Sequence, residues 1–396
     1  MEFIEAIKKV DWKNIKDPIK HYEDIDISLP YFKYMQLPNC HMGQRKLLLC
    51  EIMFYQRICS IDKSPIVIYS GSAHGIHTPA ILKLFPSLTL ILIDPRYHKM
   101  EYDFKYIYKN GDIITDKNLQ EIKRMTNEIH HKRMFCDGKK RYIFDKKSYG
   151  SLNDFKLDPK CKVYVIQDYA TPELFKKMHV MFPKCYHVSD LRTSDPRPYN
   201  YDIILNSALE ILLHLELKPK LAYLKFVTPS LNDKGLESVK DHPHIIECKK
   251  KGYNLIEEYY KGNFVFFDGE LLIQPWAPRE SSEMRLIPND QKKIYNILDM
   301  RMKFIYQMIF RSFVPTNIKL NKDLLNMGYD KCNDCAIEID ILKNQGIDFE
   351  DAKNILDEET GYDLKSKCPK HGNLLEYRGI KFKFDVEYVE YQVNIY

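Results

Sequence analysis

The run from Gln44 to Ser60, QRKLLLCEIMFYQRICS, repeats apolar residues at helical spacing and leaves Lys46 and Arg57 off the apolar stripe. That pattern predicts a helix packed on whatever follows it. Short apolar runs bounded by turn residues come next: Ile66 to Tyr69, Leu88 to Ile93, Val163 to Ile166, Tyr186 to Val188, Leu221 to Val227, and Phe264 to Phe267 followed by Leu271 to Ile273. Their nearly unbroken hydrophobicity predicts strands buried on both faces, with helical patterns over Glu173 to Met181 and Ile203 to Leu217 between them. Strands alternating with helices predict a doubly wound α/β sheet.

The pattern weakens elsewhere. Residues 1–43 mix short apolar patches with Pro18, Pro30 and Pro38, and read as an extended lead-in. The main domain then spans 44–314, with a basic, tyrosine-rich insertion at about 97–160 that holds one periodic piece, Asp116 to Glu128. Gln291 to Ser312 reads as an amphipathic helix, and residues 315–396 as a small C-terminal α+β unit ending in the alternating KFKFDVEYVEYQVNIY. No internal repeat is evident.

Composition adds limits rather than a function. At 396 residues, 44% hydrophobic and 29% charged, the chain fits a folded, soluble protein. It shows no leader-like apolar segment and no run long enough to span a bilayer, so neither secretion nor a membrane is expected. Ten irregularly spaced cysteines fit reduced thiols, hence a cytoplasmic location. A net charge of +5, from 60 basic and 55 acidic residues, permits nucleic-acid binding without indicating it.

Candidate chemistry gathers where apolar strands end. IVIYSGSAHGIHT runs from a strand into a turn with Gly71 and Gly75 and on to a predicted helix, a turn whose missing Cβ atoms admit a nucleotide-like ligand close to the backbone. The next strand, LTLILI, ends in Asp94, 23 residues after Gly71, a spacing that suits a ribose; the alternative is an aspartate capping a surface turn. A further strand ends VSDLR, placing Asp190 at the sheet's carboxyl edge. LAYLKF carries Lys225 amid apolar residues, either as a buried amine that needs a partner or as an edge lysine reaching back to water. Glu283 precedes the apolar MRLI and could close the group.

Taken in order, GQRKLLL, IYSGSAHG, LIDPR, VSDLR, LAYLKF and QPWAPRESSEMRLI resemble the poxvirus-type cap-specific mRNA 2′-O-methyltransferases, which double as the small subunit of the viral poly(A) polymerase. The resemblance covers roughly residues 30–310 apart from the insertion. It extends to the broader FtsJ-type ribose methyltransferases, whose ordered Lys-Asp-Lys-Glu tetrad falls here on Lys46, Asp190, Lys225 and Glu283. A Rossmann-like, S-adenosylmethionine-dependent domain from a large DNA virus is therefore implied, acting on the ribose 2′-hydroxyl of capped mRNA. Lys225 would be the base, its amine made neutral by Lys46 and desolvation, with Asp190 and Glu283 positioning it.

By the same resemblance, cofactor contacts fall on Gln44, Tyr69, Gly71, Gly75, Asp94, Arg96 and Asp190. His74 and Pro95 depart from the family's proline and glycine, and Ser230 stands where an aromatic stacking partner for methylguanine is expected. Implied partners are RNA, a capped 5′ end first, and a poly(A) polymerase catalytic subunit, with no DNA. The alternatives are methylation of an internal RNA ribose and a non-catalytic, RNA-binding polymerase accessory.

The C-terminal unit holds CNDC, with Cys332 and Cys335, and CPKHG, with Cys368 and His371. Paired x2 spacing fits a structural zinc with four protein ligands, and equally two pairs of reduced thiols.

Overall fold

The computed structural model describes residues 43–360, except 76, 97, 99–104, 110–154, 193–199, 230, 232–235, 237–238, 278–282, 301–315 and 317; the side chains of 43–44, 105–109 and 200 are likewise left aside. Helix α1 (Gly43–Ile61) leads into β1 (Ile66–Ser70), α2 (Thr78–Leu84), β2 (Thr89–Ile93), β3 (Lys105–Lys109) and β4 (Val163–Gln167). Then come α3 (Pro172–Met181), β5 (Tyr186–Ser189), α4 (Asn200–Leu217) and β6 (Ala222–Val227). Short helices α5 (Pro243–Lys250) and α6 (Leu255–Tyr260) precede the long strands β7 (Asn263–Leu272) and β8 (Glu283–Asn296). Helices α7 (Lys322–Asn326), α8 (Asn333–Lys343) and α9 (Phe349–Thr360) follow.

The strands form one eight-stranded sheet in the order β3-β4-β2-β1-β5-β6-β8-β7. From β3 to β6 every pairing is parallel, while β8 lies antiparallel between β6 and β7. Strand residues alternate between two cores. Val67, Leu90, Leu92, Val163 and Val165 pack with α1, α2, α8 and α9, and Ile68, Ile91, Ile93, Tyr164 and Ile166 pack with α3 and α4. Burial on both faces explains why these strands read as continuous apolar runs. This mixed α/β architecture is consistent with a Rossmann-like fold, and its parallel strands bring their carboxyl ends to one edge.

Three expectations change. Gln291 to Ser312 is not one helix: β8 runs to Asn296, pairing with Asn263–Phe267 of β7, and a helical turn begins only at Ile297. Its outer half is mostly exposed, so backbone pairing rather than an apolar face defines it. The two short runs at 264–267 and 271–273 belong to a single strand with a register shift between Phe267 and Gly269. The stretch read as an insertion contributes β3, a parallel edge strand on β4. Among the described residues, 318–360 of the C-terminal unit contain helices α7, α8 and α9 and no strand, and Leu324, Ile337, Leu342 and Leu356 join the same core as α1. The alternating stretch after residue 380 lies outside the described residues.

Candidate active site

Because β2, β1 and β5 are neighbours, the residues following them converge. Gly71 after β1 has φ +75°, and a Cβ there would stand 2.6 Å from the Asp190 carbonyl oxygen. Glycine is thus required twice over, by the left-handed backbone and by the close approach of the β5 end. Asp94 is buried at the end of β2, where its carboxylate accepts from the backbone N–H of Ala73 at 3.2 Å and of Arg96 at 2.8 Å. The Arg96 side chain, half-exposed, also donates to it at 3.2 Å. Asp94 thus ties the β1 turn to the β2 end from a buried position beside the glycine turn. The Tyr69 hydroxyl donates to Glu51 at 2.5 Å. Ser72 pairs with the buried His98 ring at 2.8 Å, whose burial pushes it down to about 4 and keeps it neutral. Only the backbone of Gln44 is described, in the first turn of α1, and Ser230 lies outside the described residues.

The four residues of the tetrad come from α1, the β5 end, β6 and the β8 start, and they meet. Lys46 Nζ donates to Glu283 Oε1 at 3.2 Å, and Lys225 Nζ lies 3.2 Å from Asp190 Oδ1 and 3.5 Å from Glu283 Oε2. All four side chains are largely but not completely buried. Lys225 is neither an edge lysine nor alone; its strand lies between β5 and β8 and its amine sits between two carboxylates.

The cluster has a fifth member that the sequence reading missed. Arg285 is fully buried, and its guanidinium donates to Asp190 Oδ1 at 2.9 Å, Glu283 Oε1 at 3.0 Å and the Ser189 carbonyl at 2.9 Å, above the Tyr223 ring. It is also the direct cross-strand partner of Lys225. Two cations opposite each other on antiparallel strands repel unless anions separate them, which Asp190 and Glu283 do. The signal was available, for Arg285 interrupts the apolar EMRLI as Lys225 interrupts LAYLKF. Gln274 donates to Glu283 at 3.3 Å and Arg192 reaches it from the solvent side at 3.4 Å.

Burial alone would raise both carboxyls, but the cations prevail. Lys225 and Arg285 hold Asp190 down to about 2, and Lys46, Lys225 and Arg285 hold Glu283 well below its ordinary range. Both are carboxylates at neutral pH. Two more carboxyls lie beneath. Burial pushes Glu51 of α1 up to about 7 and Glu210 of α4, which accepts from Ser189 Oγ at 2.6 Å, up to about 8. The Asp190 and Glu283 carboxylates thus sit among the Lys46 and Lys225 amines and the Arg285 guanidinium, a setting that can receive an oxyanion.

Beside this cluster lies a second one on α1. Arg45 is fully buried and donates to Glu338 of α8 at 2.8 and 2.5 Å and to Asp357 of α9 at 2.7 Å. Glu338 also accepts from Trp276 Nε1 and the Tyr329 hydroxyl, each at 2.7 Å. Of the C-terminal candidates, Cys332 and Cys335 are buried at the start of α8, while Cys368 and His371 lie outside the described residues.

A family model described as Poly A polymerase regulatory subunit matches residues 14–135. The cap-specific mRNA (nucleoside-2′-O-)-methyltransferases of Myxoma virus strains Lausanne and Uriarra are each 25% identical over 382 residues, which is 93% of this chain and 84% of the viral protein. Over nearly its whole length, then, the chain resembles the poxvirus cap-specific mRNA 2′-O-methyltransferase, and over its first third the poly(A) polymerase regulatory subunit family.

Proposed function

We propose that this chain is an S-adenosylmethionine-dependent RNA 2′-O-methyltransferase acting on the first transcribed ribose of capped mRNA. One observation carries the reading: the Lys225 amine sits between Asp190 and Glu283, with Lys46 on Glu283, at the carboxyl edge of the parallel strands.

The residues present fit the methyl donor. The turn from Gly71 to Gly75, Asp94 and Asp190 stand at the ends of three adjacent strands, offering backbone N–H groups and carboxylates to an adenosyl group and its ribose hydroxyls. By the resemblance, Tyr69, Arg96 and Gln44 would complete that side. When bound, S-adenosylmethionine supplies a methyl on a positively charged sulfur. The chain's own part is to place the acceptor hydroxyl and remove its proton. Lys225 Nζ takes that proton, Asp190 and Glu283 hold the amine in place, and Lys46 with Arg285 stabilises the developing oxyanion. Burial strengthens the attraction of Lys46 and Arg285 for that oxyanion.

Cap dependence is tested by offering labelled S-adenosylmethionine with short RNA that is capped or uncapped, and by titrating 7-methylguanine against guanine cap analogues. Transfer confined to capped RNA with preference for the methylated base supports the reading. Equal transfer to uncapped RNA moves the acceptor to an internal ribose.

A second role rests on the match of residues 14–135 to the polymerase regulatory family. In that role the chain binds RNA and a poly(A) polymerase catalytic subunit and extends its tail synthesis. Stimulation of such a polymerase by the Lys225→Ala protein is the expected result; no stimulation by the wild-type chain would remove this role.

A further inference from the structure

Gln167, the last residue of β4, is fully buried, and among the described residues neither its side-chain Oε1 nor its Nε2 has a hydrogen-bond partner. A buried carboxamide unmatched at both atoms has lost its hydration and gained nothing in return, so it marks either a strained packing position or a site that a ligand completes. Its place in the sheet favours the ligand. Ile166 pairs with Ile93, Ile93 with Ser70, and Ser70 with Ser189. One step further along each strand, the row across the carboxyl edge reads Gln167, Asp94, Gly71, Asp190. Backbone bonds keep that row in register: the N–H groups of Asp94, Gly71 and Asp190 donate to the carbonyls of Ile166, Ile93 and Ser70 at 3.3, 2.9 and 3.0 Å. The Asp168 N–H then folds back on the Ile166 carbonyl at 3.0 Å, so the chain turns out of the sheet at Gln167. Val163 and Val165 share a core with Leu90 and Leu92, and strand alternation therefore puts Gln167 and Asp94 on one face of neighbouring strands, about 4.8 Å apart at the backbone. Asp94 is buried there too.

We infer that the Gln167 carboxamide reads the base of the methyl donor, accepting from the adenine N6 amine and donating to the ring nitrogen beside it. This role rests on the methyl-donor reading of the site, and the strand order gives its direction. The methyl has to lie near Lys225 on β6, so the sulfur end of an adenosyl group points from Asp94 toward β1 and β5. In adenosine the base leaves the ribose at C1′ and the sulfur-bearing carbon at C4′, on opposite sides of the ring oxygen. With the ribose at Asp94, the base falls on the β4 side, where Gln167 stands. A carboxamide offers one acceptor and one donor side by side, the complement of the adenine amine and its neighbouring ring nitrogen. A carboxylate lacks the donor and an aliphatic side chain lacks both. Glutamine at this strand end therefore selects adenine over a purine without the amino group, and the unmatched amide is the cost of that selection in the ligand-free chain.

The test titrates the full chain by calorimetry with S-adenosylhomocysteine, which carries no methyl to transfer, and with its analogue that has hydrogen in place of the adenine amino group. The wild-type chain should bind the adenine form about 10-fold or more tighter, a comparison that depends on no variant folding. In Gln167→Met, which nearly conserves volume, affinity for S-adenosylhomocysteine should fall about 10- to 100-fold and the preference for the amino group should vanish. The melting temperature of ligand-free Gln167→Met should stay level or rise, because a buried unmatched amide has been removed; a glutamine with a purely structural task gives a fall. Equal affinity of the wild type for the two ligands, equal affinity of wild type and Gln167→Met for S-adenosylhomocysteine, or a fall of more than a few degrees in ligand-free melting overturns the role and leaves the donor site in place. No binding of S-adenosylhomocysteine by the wild type overturns the methyl-donor reading, and this role with it.

Discussion

Arg45 and Lys46 are consecutive residues of one helix, and each enters a buried charge cluster, yet the two clusters are built differently. Around Arg45 the partners close in from α8, α9 and the β7–β8 connection: both oxygens of Glu338 accept from the guanidinium, and Trp276 and Tyr329 take the remaining positions on that carboxylate. Both Arg45 and Glu338 are fully buried. Around Lys46 the partners converge from strand ends, the lysine amines sit at 3.2 to 3.5 Å, and the rim reaches solvent through Arg192. A bidentate, closed arrangement gives up mobility for a fixed geometry. The looser one keeps amines that can exchange a carboxylate contact for a substrate. Adjacent positions on α1 therefore divide the work: one residue anchors the helix and the next is presented to chemistry.

The largest expected effect comes from breaking the open cluster. Lys225→Ala should lower methyl transfer about 10²–10⁴-fold, the usual loss of a general base. Unfolding should change little by comparison, because Arg285 and Lys46 still pair with Asp190 and Glu283. Glu338→Ala should do the reverse. It removes the bidentate partner of Arg45, whose Asp357 contact remains, and costs about 3–5 kcal/mol in denaturant unfolding, while transfer per folded molecule at low temperature stays within a few-fold. Arg285→Met sits between them. About 2–4 kcal/mol of stability should go with much of the activity, and Arg285→Lys should not restore it, since an ammonium cannot reach both carboxylates and the Ser189 carbonyl.

A smaller, pH-dependent effect separates the carboxyls. Glu51 and Glu210 are raised to about 7 and about 8 by burial, from an ordinary 4.5, so between pH 4.5 and about 8 the folded chain holds more protons than the unfolded one. Stability from these groups is complete below 4.5 and is lost as pH rises, by on the order of several kcal/mol across the window. Asp190, lowered to about 2, acts oppositely: its contribution is present above 3.8 and is lost as pH falls toward 2. Glu51→Gln should flatten the loss between pH 5 and 7 in a series of unfolding titrations, and an unchanged slope would show that Glu51 is ionised in the folded state. Least of all, Arg57→Ala, which removes an exposed pair with Glu270, should cost about 1 kcal/mol or less.

Asp190, Lys225 and Glu283 were legible because each charge bounds or interrupts an apolar strand and strand ends share an edge in a parallel sheet, whereas Lys46, off the apolar stripe of its helix, was named only through the resemblance. Arg285 obeyed the same rule as Lys225 and was passed over because the four-residue set that the resemblance implies does not include it. The closed cluster was not legible. Glu338 and Arg45 are 293 residues apart, and an amphipathic helix shows which face it buries without showing against what. The reading of 291–312 failed for a related reason, since the exposed half of β8 is held by backbone pairing to β7, which leaves little trace in side-chain periodicity.

The account's central claim is that the Lys225 cluster deprotonates a ribose 2′-hydroxyl for methylation. The most direct test compares wild-type and Lys225→Ala chains of matched folded fraction on capped RNA whose first nucleotide is ribo or 2′-deoxy, with the product methyl located by mass after nuclease digestion. The account predicts a 2′-O-methyl on the ribo substrate with wild-type protein alone. Methylation of the 2′-deoxy RNA, or undiminished transfer by Lys225→Ala, would contradict it.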